Sequence, residues 1–300
     1  MANSASSTKV TLLILGAGWT YQFLQPLLSH HKISYAATTT TGHDDTIPFK
    51  FDAESDDPTP YHHLPNADYI LITFPLKGRG PSAKLLSMYQ QTHSHSTDAT
   101  LQPSREGSHR WIQLGSTGIF TSPDWNDESS PIDAANERGI AEGELIELGG
   151  VVLNLAGLYG GGREPKNWLV RVAKTKEQLA SKGALHLVHG VDVARAVVAV
   201  VFESDKDAIF GKRWIIADGM SYDWWALAWE WTGETQELSA DETVPQRSED
   251  KLKYRQWVLD LMEENNVRAL PRTPELLGRK MDSRAFWKAV GLLPERSLSR

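Results

Sequence analysis

Gly16-Ala17-Gly18 follows six uncharged, largely branched residues, 10–15, and precedes a helical run over residues 21–28. At a strand-to-helix turn, the first glycine permits the sharp reversal. The second leaves backbone N–H groups bare at the helix N-terminus, where a diphosphate is favoured. Gly16, Gly18 and the adjoining Trp19 are therefore candidate dinucleotide contacts, with a purely structural turn as the alternative. The third glycine of the full fingerprint is absent, because Tyr21 stands in its place. Farther along, Ser116 and Thr117 end a buried run that begins at Arg110. Their hydroxyls could hold a substrate oxygen or satisfy the backbone of their own turn. Tyr159 lies just past the apolar run 151–156 and offers either a proton donor or a packed ring. Arg163 follows three glycines and suits a diphosphate, an acidic substrate or solvent.

These groups need strands to hold them. Apolar runs at 10–15, 33–41, 67–75, 110–120 and 151–156 alternate with helical stretches at 21–28, 82–92 and 133–148, the last capped by Asp133. Strand–helix alternation predicts a doubly wound parallel sheet of Rossmann-like α/β class, with right-handed crossovers. Ligands in such sheets bind at the carboxyl ends of the strands, so Gly16, Thr38, Phe74, Ser116 and Tyr159 should converge on one crevice. Past residue 164 the rhythm changes. The chain divides into a dinucleotide-binding domain over 1–163 and a smaller substrate-side α/β lobe over 164–300, with a helix near 190–203 packing back on the first.

The second strand ends in threonines, and no acid occurs from Ile33 through His43 to hold a ribose 2′-hydroxyl. Thr38, Thr39 and His43 can instead hydrogen-bond a phosphate, which favours NADP over NAD. A short strand at 47–51 ends in Asp52, an adenine-side contact or a solvated strand-end acid. Paired histidines at 30/31, 62/63 and 93/95 sit in polar segments without companion ligands, so no metal is expected.

Taken in order, Gly16-x-Gly18, Asp52, Ser116-Thr117-Gly118-Ile119-Phe120, Asp127-Glu128 with Pro131, Ala141-Glu142, Tyr159 to Arg163 and His189-Gly190-Val191-Asp192-Val193-Ala194 resemble the extended short-chain dehydrogenase/reductases, the NAD-dependent epimerase/dehydratase family. That resemblance implies a tyrosine–lysine pair on the helix after the serine-bearing strand, the tyrosine moving a proton and the lysine lowering its pKa. Anchoring on Ala141-Glu142 puts Ala134 at the tyrosine position and Arg138 at the lysine position. No tyrosine lies between Tyr89 and Tyr159, and no lysine between Lys84 and Lys166. The chain thus resembles atypical members. Either it is an oxidoreductase or isomerase with a substituted acid, or a dinucleotide-binding sensor or interaction protein without turnover.

The bulk properties narrow the partners. A net charge of −7 and a pI near 5.8 disfavour nucleic acid and anionic membranes. Zero cysteines exclude disulfides and thiol chemistry. The polar start, residues 1–9, reads as a tail and not a secretory signal, and no apolar run spans a bilayer, so a cytoplasmic protein acting on a small molecule is expected. Gly139 and Gly143 lie four apart on the expected helix and suit a homodimer seam or close packing on the chain's own sheet. Trp224, Trp225, Trp229 and Trp231 cover most of one helix, which should be largely enclosed as core or as an aromatic substrate wall.

Overall fold

The computed structural model describes residues 9–93, 109–233 and 245–298; the expected N-terminal tail up to Ser7-Thr8, most of the polar loop expected from Ser94 to His109, and His95 lie outside them. Seven strands form one sheet: β1 (Val10–Leu15), β2 (Tyr35–Thr39), β3 (Ile47–Pro48), β4 (Ala67–Ile72), β5 (Arg110–Ser116), β6 (Val151–Leu155) and β7 (Arg213–Ile216). Their order is β7-β6-β5-β4-β1-β2-β3, and every neighbouring pair is parallel. This is the doubly wound arrangement that the alternation predicts. The chain runs outward from β1 through β2 to β3, then returns to β4 on the other side. The carboxyl ends of β1 and β4 therefore part at the topological switch point.

Helices cover both faces, which is why the central strands are apolar throughout. Leu12 and Ile14 of β1 point to one face, where they meet α1 (Tyr21–His30) and a later helix spanning Gly190–Phe202. Leu13 and Leu15 point to the other, against α2 (Pro81–His93) and α3 (Glu137–Glu147). Each fully buried leucine contributes about 1.5–3 kcal/mol relative to exposure. Gly190 lets that later helix close on α1, since a Cβ there would lie 2.1 Å from the Phe23 ring. The sheet and its core take β7, the Gly190–Phe202 helix and Phe286 from beyond residue 163.

Helix α3 starts later than expected. Asp133 accepts from the N–H of Ala135 in a turn of its own, and Asn136 caps the helix by accepting from Arg138 and Gly139. Ala134 is consequently exposed and outside the helix. Gly139 is buried beside Ile132 and Ile119, where a Cβ would make ordinary contacts at 3.5 and 3.7 Å, and a Cβ at Gly143 would meet nothing within 4 Å, so packing on its own chain demands glycine at neither position. The expected helix near 168–181 is two short pieces, Leu169–Val172 and Lys176–Ala180. The tryptophan helix spans Trp224–Gly233, with Trp224 and Trp225 buried and Trp229 and Trp231 half-buried in a core shared with Tyr254 and Val258. No helix among the described residues is long and apolar enough to cross a membrane.

The C-terminal segment returns to the main sheet and is held there by Asp192. This fully buried carboxylate accepts from the N–H groups of Glu295 and Arg296, each at 2.9 Å, and pairs with Arg195 at 2.7 Å. Removing it strands two N–H donors and takes one partner from Arg195, which keeps Leu293 O and Glu295. Asp192→Ala should therefore lower unfolding stability by about 3 kcal/mol, with Asp192→Asn costing less. Urea titration checks this; an unchanged midpoint in Asp192→Ala would contradict the role.

Candidate cofactor and substrate cleft

A cavity of about 510 Å³ opens at the carboxyl edge of the sheet, beside the switch point. The register pairs Leu15 with Ile72 and Ser116 with Leu155, so the turns after β1, β4, β5 and β6 emerge side by side. One wall is the N-terminal turn of α1, with Gly18, Trp19 and Thr20. Gly16 turns the chain at φ +96°, and a Cβ there would lie 2.6 Å from Thr73 Oγ1. Thr73 instead donates to the carbonyls of Gly16 and Leu15, pinning β4 to this turn. Gly18 has nothing within 4 Å of a notional Cβ, and its own N–H donates to Gly16 O at 2.8 Å. Among the described residues, no acceptor is bonded to the backbone N–H groups of Trp19 and Thr20. Two unpaired donors at a helix N-terminus, on residues that line a cavity with open space at Gly18, fit a diphosphate.

The glycine run ending in Arg163 closes the same wall. Gly160, Gly161 and Gly162 all have positive φ, and a Cβ at Gly161 would press on Gln22 and Phe23. Trp19 Nε1 donates to Gly160 O at 3.0 Å, and the Arg163 guanidinium lies 4.4 Å from the centre of the Trp19 ring. This cation–π contact holds Arg163 at the cavity edge, beside the two unpaired N–H groups.

The opposite wall is built on a buried carboxylate. Glu142 of α3 is 0% exposed. It accepts from the Asn154 amide at 2.7 Å and from the Ser116 N–H at 3.2 Å. Arg138 and Arg213 stand 3.5 and 3.7 Å from its oxygens. Burial pushes its pKa up, opposed by Asn154 and the two arginines. Arg138 also donates to Leu114 O at 3.2 Å, which fixes its stem against the end of β5. Ser116 Oγ accepts from Gly118 N at 3.1 Å, closing its own turn while its O–H proton remains available to the cavity.

The predicted residues are thus placed unequally. Gly18, Trp19, Ser116 and Arg163 line the cavity, and Gly16 and Phe74 adjoin it through Thr73. Phe74 stacks on Phe51 with ring centres 6.2 Å apart. Thr38 is buried with its hydroxyl accepting from Gly16 N, and Thr39 bonds Thr46 and the Gly42 N–H, so neither hydroxyl is free. The exposed groups there are Thr40, Thr41, His43, Asp44 and Asp45, with His43 bonded to Thr41 and 3.8 Å from Asp44. Asp52 is exposed and accepts from Glu54 N. Thr117 is outside the lining and donates to Leu155 O at 3.3 Å.

Tyr159 also lies outside the lining. Its ring packs edge-on against His189, and its buried hydroxyl has no hydrogen-bond partner. Burial, followed by the charges of Asp218 and Asp192, raises its pKa. Sequence reasoning did not single out Trp168 and Arg171, which reach the cavity from the short 165–172 helical turns and carry no local signature. Arg138 was marked by its alignment with the lysine position but not as a site residue.

No family model matches the chain, and none of the curated proteins does. Solved structures match along nearly its whole length. Vestitone reductase from alfalfa is 15% identical, covering 96% of this chain and 94% of its own, with a TM-score of 0.58. Yeast methylglyoxal/isovaleraldehyde reductase, complexed with NADPH, is 12% identical over 95% and 94%, with a TM-score of 0.57. UDP-glucose 4-epimerase from Thermus thermophilus, complexed with NAD, is 13% identical over 97% and 95%, with a TM-score of 0.54. The chain has the Rossmann-type fold of these reductases and epimerases.

Behind Tyr159, Asp218 has its pKa pushed up to about 6, mainly by burial. It accepts from the Tyr222 hydroxyl at 2.6 Å and from Met220 N at 3.0 Å. Because the folded state holds this proton more tightly than the unfolded chain, its contribution is full below about pH 4. That contribution is lost as pH rises through about 6. Unfolding free energies from urea titration between pH 4 and 7 should fall in wild type relative to Asp218→Asn, by about 2 kcal/mol across the window. Parallel pH profiles in the two proteins would contradict this assignment.

Proposed function

We propose that the cleft binds a nicotinamide dinucleotide and that the chain, an atypical relative of the extended short-chain dehydrogenase/reductases, acts on a small molecule held beside Ser116. The observation that carries this reading is the shared cavity. Trp19 and Thr20, whose N–H groups are unpaired, and Ser116 line one cavity at the switch point of the sheet. The diphosphate would lie against Trp19, Thr20 and Arg163, and the adenine half would extend past Gly16 toward Phe74 and Asp52. When bound, the nicotinamide ring would supply or accept a hydride. Ser116 would donate a hydrogen bond to the substrate oxygen, and Glu142 would keep Ser116 and Arg138 in place from below.

The reading also bears on rate. General acid–base assistance is typically worth about 10²–10⁴-fold. Ala134 has no proton to give, and Arg138, at the lysine position, holds its protons too tightly to give one up, although only Nη2 of its fork is hydrogen-bonded, to Leu114 O. Carbonyl reduction should therefore be slow, and a binder without turnover is the second reading favoured by the same two residues. A carbonyl panel with cofactor consumption as the readout tests this. Any activity should drop about tenfold in Ser116→Ala, while Tyr159→Phe, altered outside the cavity, should change it little. Brisk reduction unaffected by Ser116→Ala would contradict the proposed site.

For the cofactor itself, we propose NADP over NAD. The support is the absence of an acid on β2 itself together with the exposure of Thr40, Thr41 and His43 just beyond it, ahead of the exposed Asp44 and Asp45. Calorimetric titration should give tighter binding of NADPH than of NADH. A tenfold preference for NADH, about 1.4 kcal/mol, would overturn the order.

A further inference from the structure

The lining of the cleft contains three arginines, Arg138, Arg163 and Arg171, and neither an aspartate nor a glutamate. In a chain of net charge −7, that is a local inversion of sign. A walled cavity of one sign concentrates ligands of the other. Arg163 is tied to the Trp19 ring at the diphosphate end. Arg138 stands at the other side, beside Ser116, and Arg171 enters from the short Leu169–Val172 helix. Arg171 forms no ion pair or hydrogen bond among the described residues. Between these two, Leu155, Leu158 and Trp168 give the cavity an apolar side.

We infer that Arg138 and Arg171 form an oxyanion subsite for the substrate, which is a small molecule with an apolar or aromatic body and one carboxylate or phosphate group. This rests on the dinucleotide reading in assigning Arg163 and the N-terminus of α1 to the diphosphate. A guanidinium presents two parallel N–H donors that match either oxyanion, and a neutral group of the same shape leaves those donors unpaired. Arg138 lines the cavity, and of its fork Nη2 bonds Leu114 O while Nε, 3.5 Å from Glu142, has no hydrogen-bond partner. The anion would orient the substrate oxygen toward Ser116, with its body on Trp168.

The test uses the full-length protein, with and without saturating NADPH, titrated with benzoate, phenyl phosphate and neutral benzamide by ligand-observed NMR. At least one anion should bind about tenfold or more tightly than benzamide, and the benzoate and phenyl phosphate arms decide between carboxylate and phosphate. Arg171→Gln, an exposed change that spares the buried network, should remove that advantage; Arg138→Gln should do the same if it folds. Arg163→Gln should weaken NADPH and leave the anion in place, whereas Arg171→Gln should leave NADPH in place. Equal affinity for benzamide and both anions, no anion binding, or anion binding unchanged in Arg171→Gln would overturn the subsite. If NADPH fails to bind while an Arg171-dependent anion still does, the cofactor reading falls and the subsite stands.

Discussion

Glu142 is a carboxylate without access to water, and burying such a charge costs several kcal/mol unless charges and hydrogen bonds surround it. Here they do. Its oxygens receive the Ser116 N–H and the Asn154 amide, and Arg138 and Arg213 stand on either side. These partners come from β5, β6, β7 and α3, so one side chain ties the ends of β5 and β6 and the helix α3 together beneath a wall of the cleft. The arrangement also dictates Gly115. A Cβ there would lie 2.7 Å from the Glu142 carboxylate and 2.5 Å from the Asn154 amide. Ser116 and Arg138 hold their positions because Glu142 needs them.

The rest of the cleft follows from the sheet. A parallel sheet buried on both faces must send its turns to two edges. The switch between β1 and β4 leaves a crevice on the carboxyl side that no crossover fills. The chain places an open helix N-terminus on one side of that crevice and the Glu142 assembly on the other. Trp19 bridges outward to Gly160 and carries Arg163 on its face. The resulting space is positive on both walls, although the molecule as a whole is acidic.

The central strands were legible because burial on both faces writes an unbroken apolar run, as in residues 10–15 and 151–156. Of the strand ends expected to converge, at Gly16, Thr38, Phe74, Ser116 and Tyr159, the cavity lining takes in Ser116 and the turn that follows Gly16. What was not legible depends on choices between equivalent local groups. Asp133 and Asn136 can both cap a helix, and the Asp133 turn with Ala135 leaves the capping to Asn136. Thr38 has the right chemistry for a phosphate, but its hydroxyl is taken by Gly16 N. Tyr159 sits just past the Leu155–Ala156 pair that lines the cavity, with its ring turned toward His189. Arg171 and the Asp192 anchor depend on contacts between distant parts of the chain, and spacing along the sequence carries no trace of either.

The central claim is that a diphosphate lies where Gly18 leaves space. Gly18→Val tests it directly, because the new side chain would enter the cavity while a Cβ at this position touches nothing within 4 Å of the protein. The quantity to measure is NADPH affinity by calorimetry, with the melting temperature recorded beside it. The account predicts at least a tenfold loss of affinity, about 1.4 kcal/mol, at an unchanged melting temperature. Undiminished NADPH binding by Gly18→Val would contradict it.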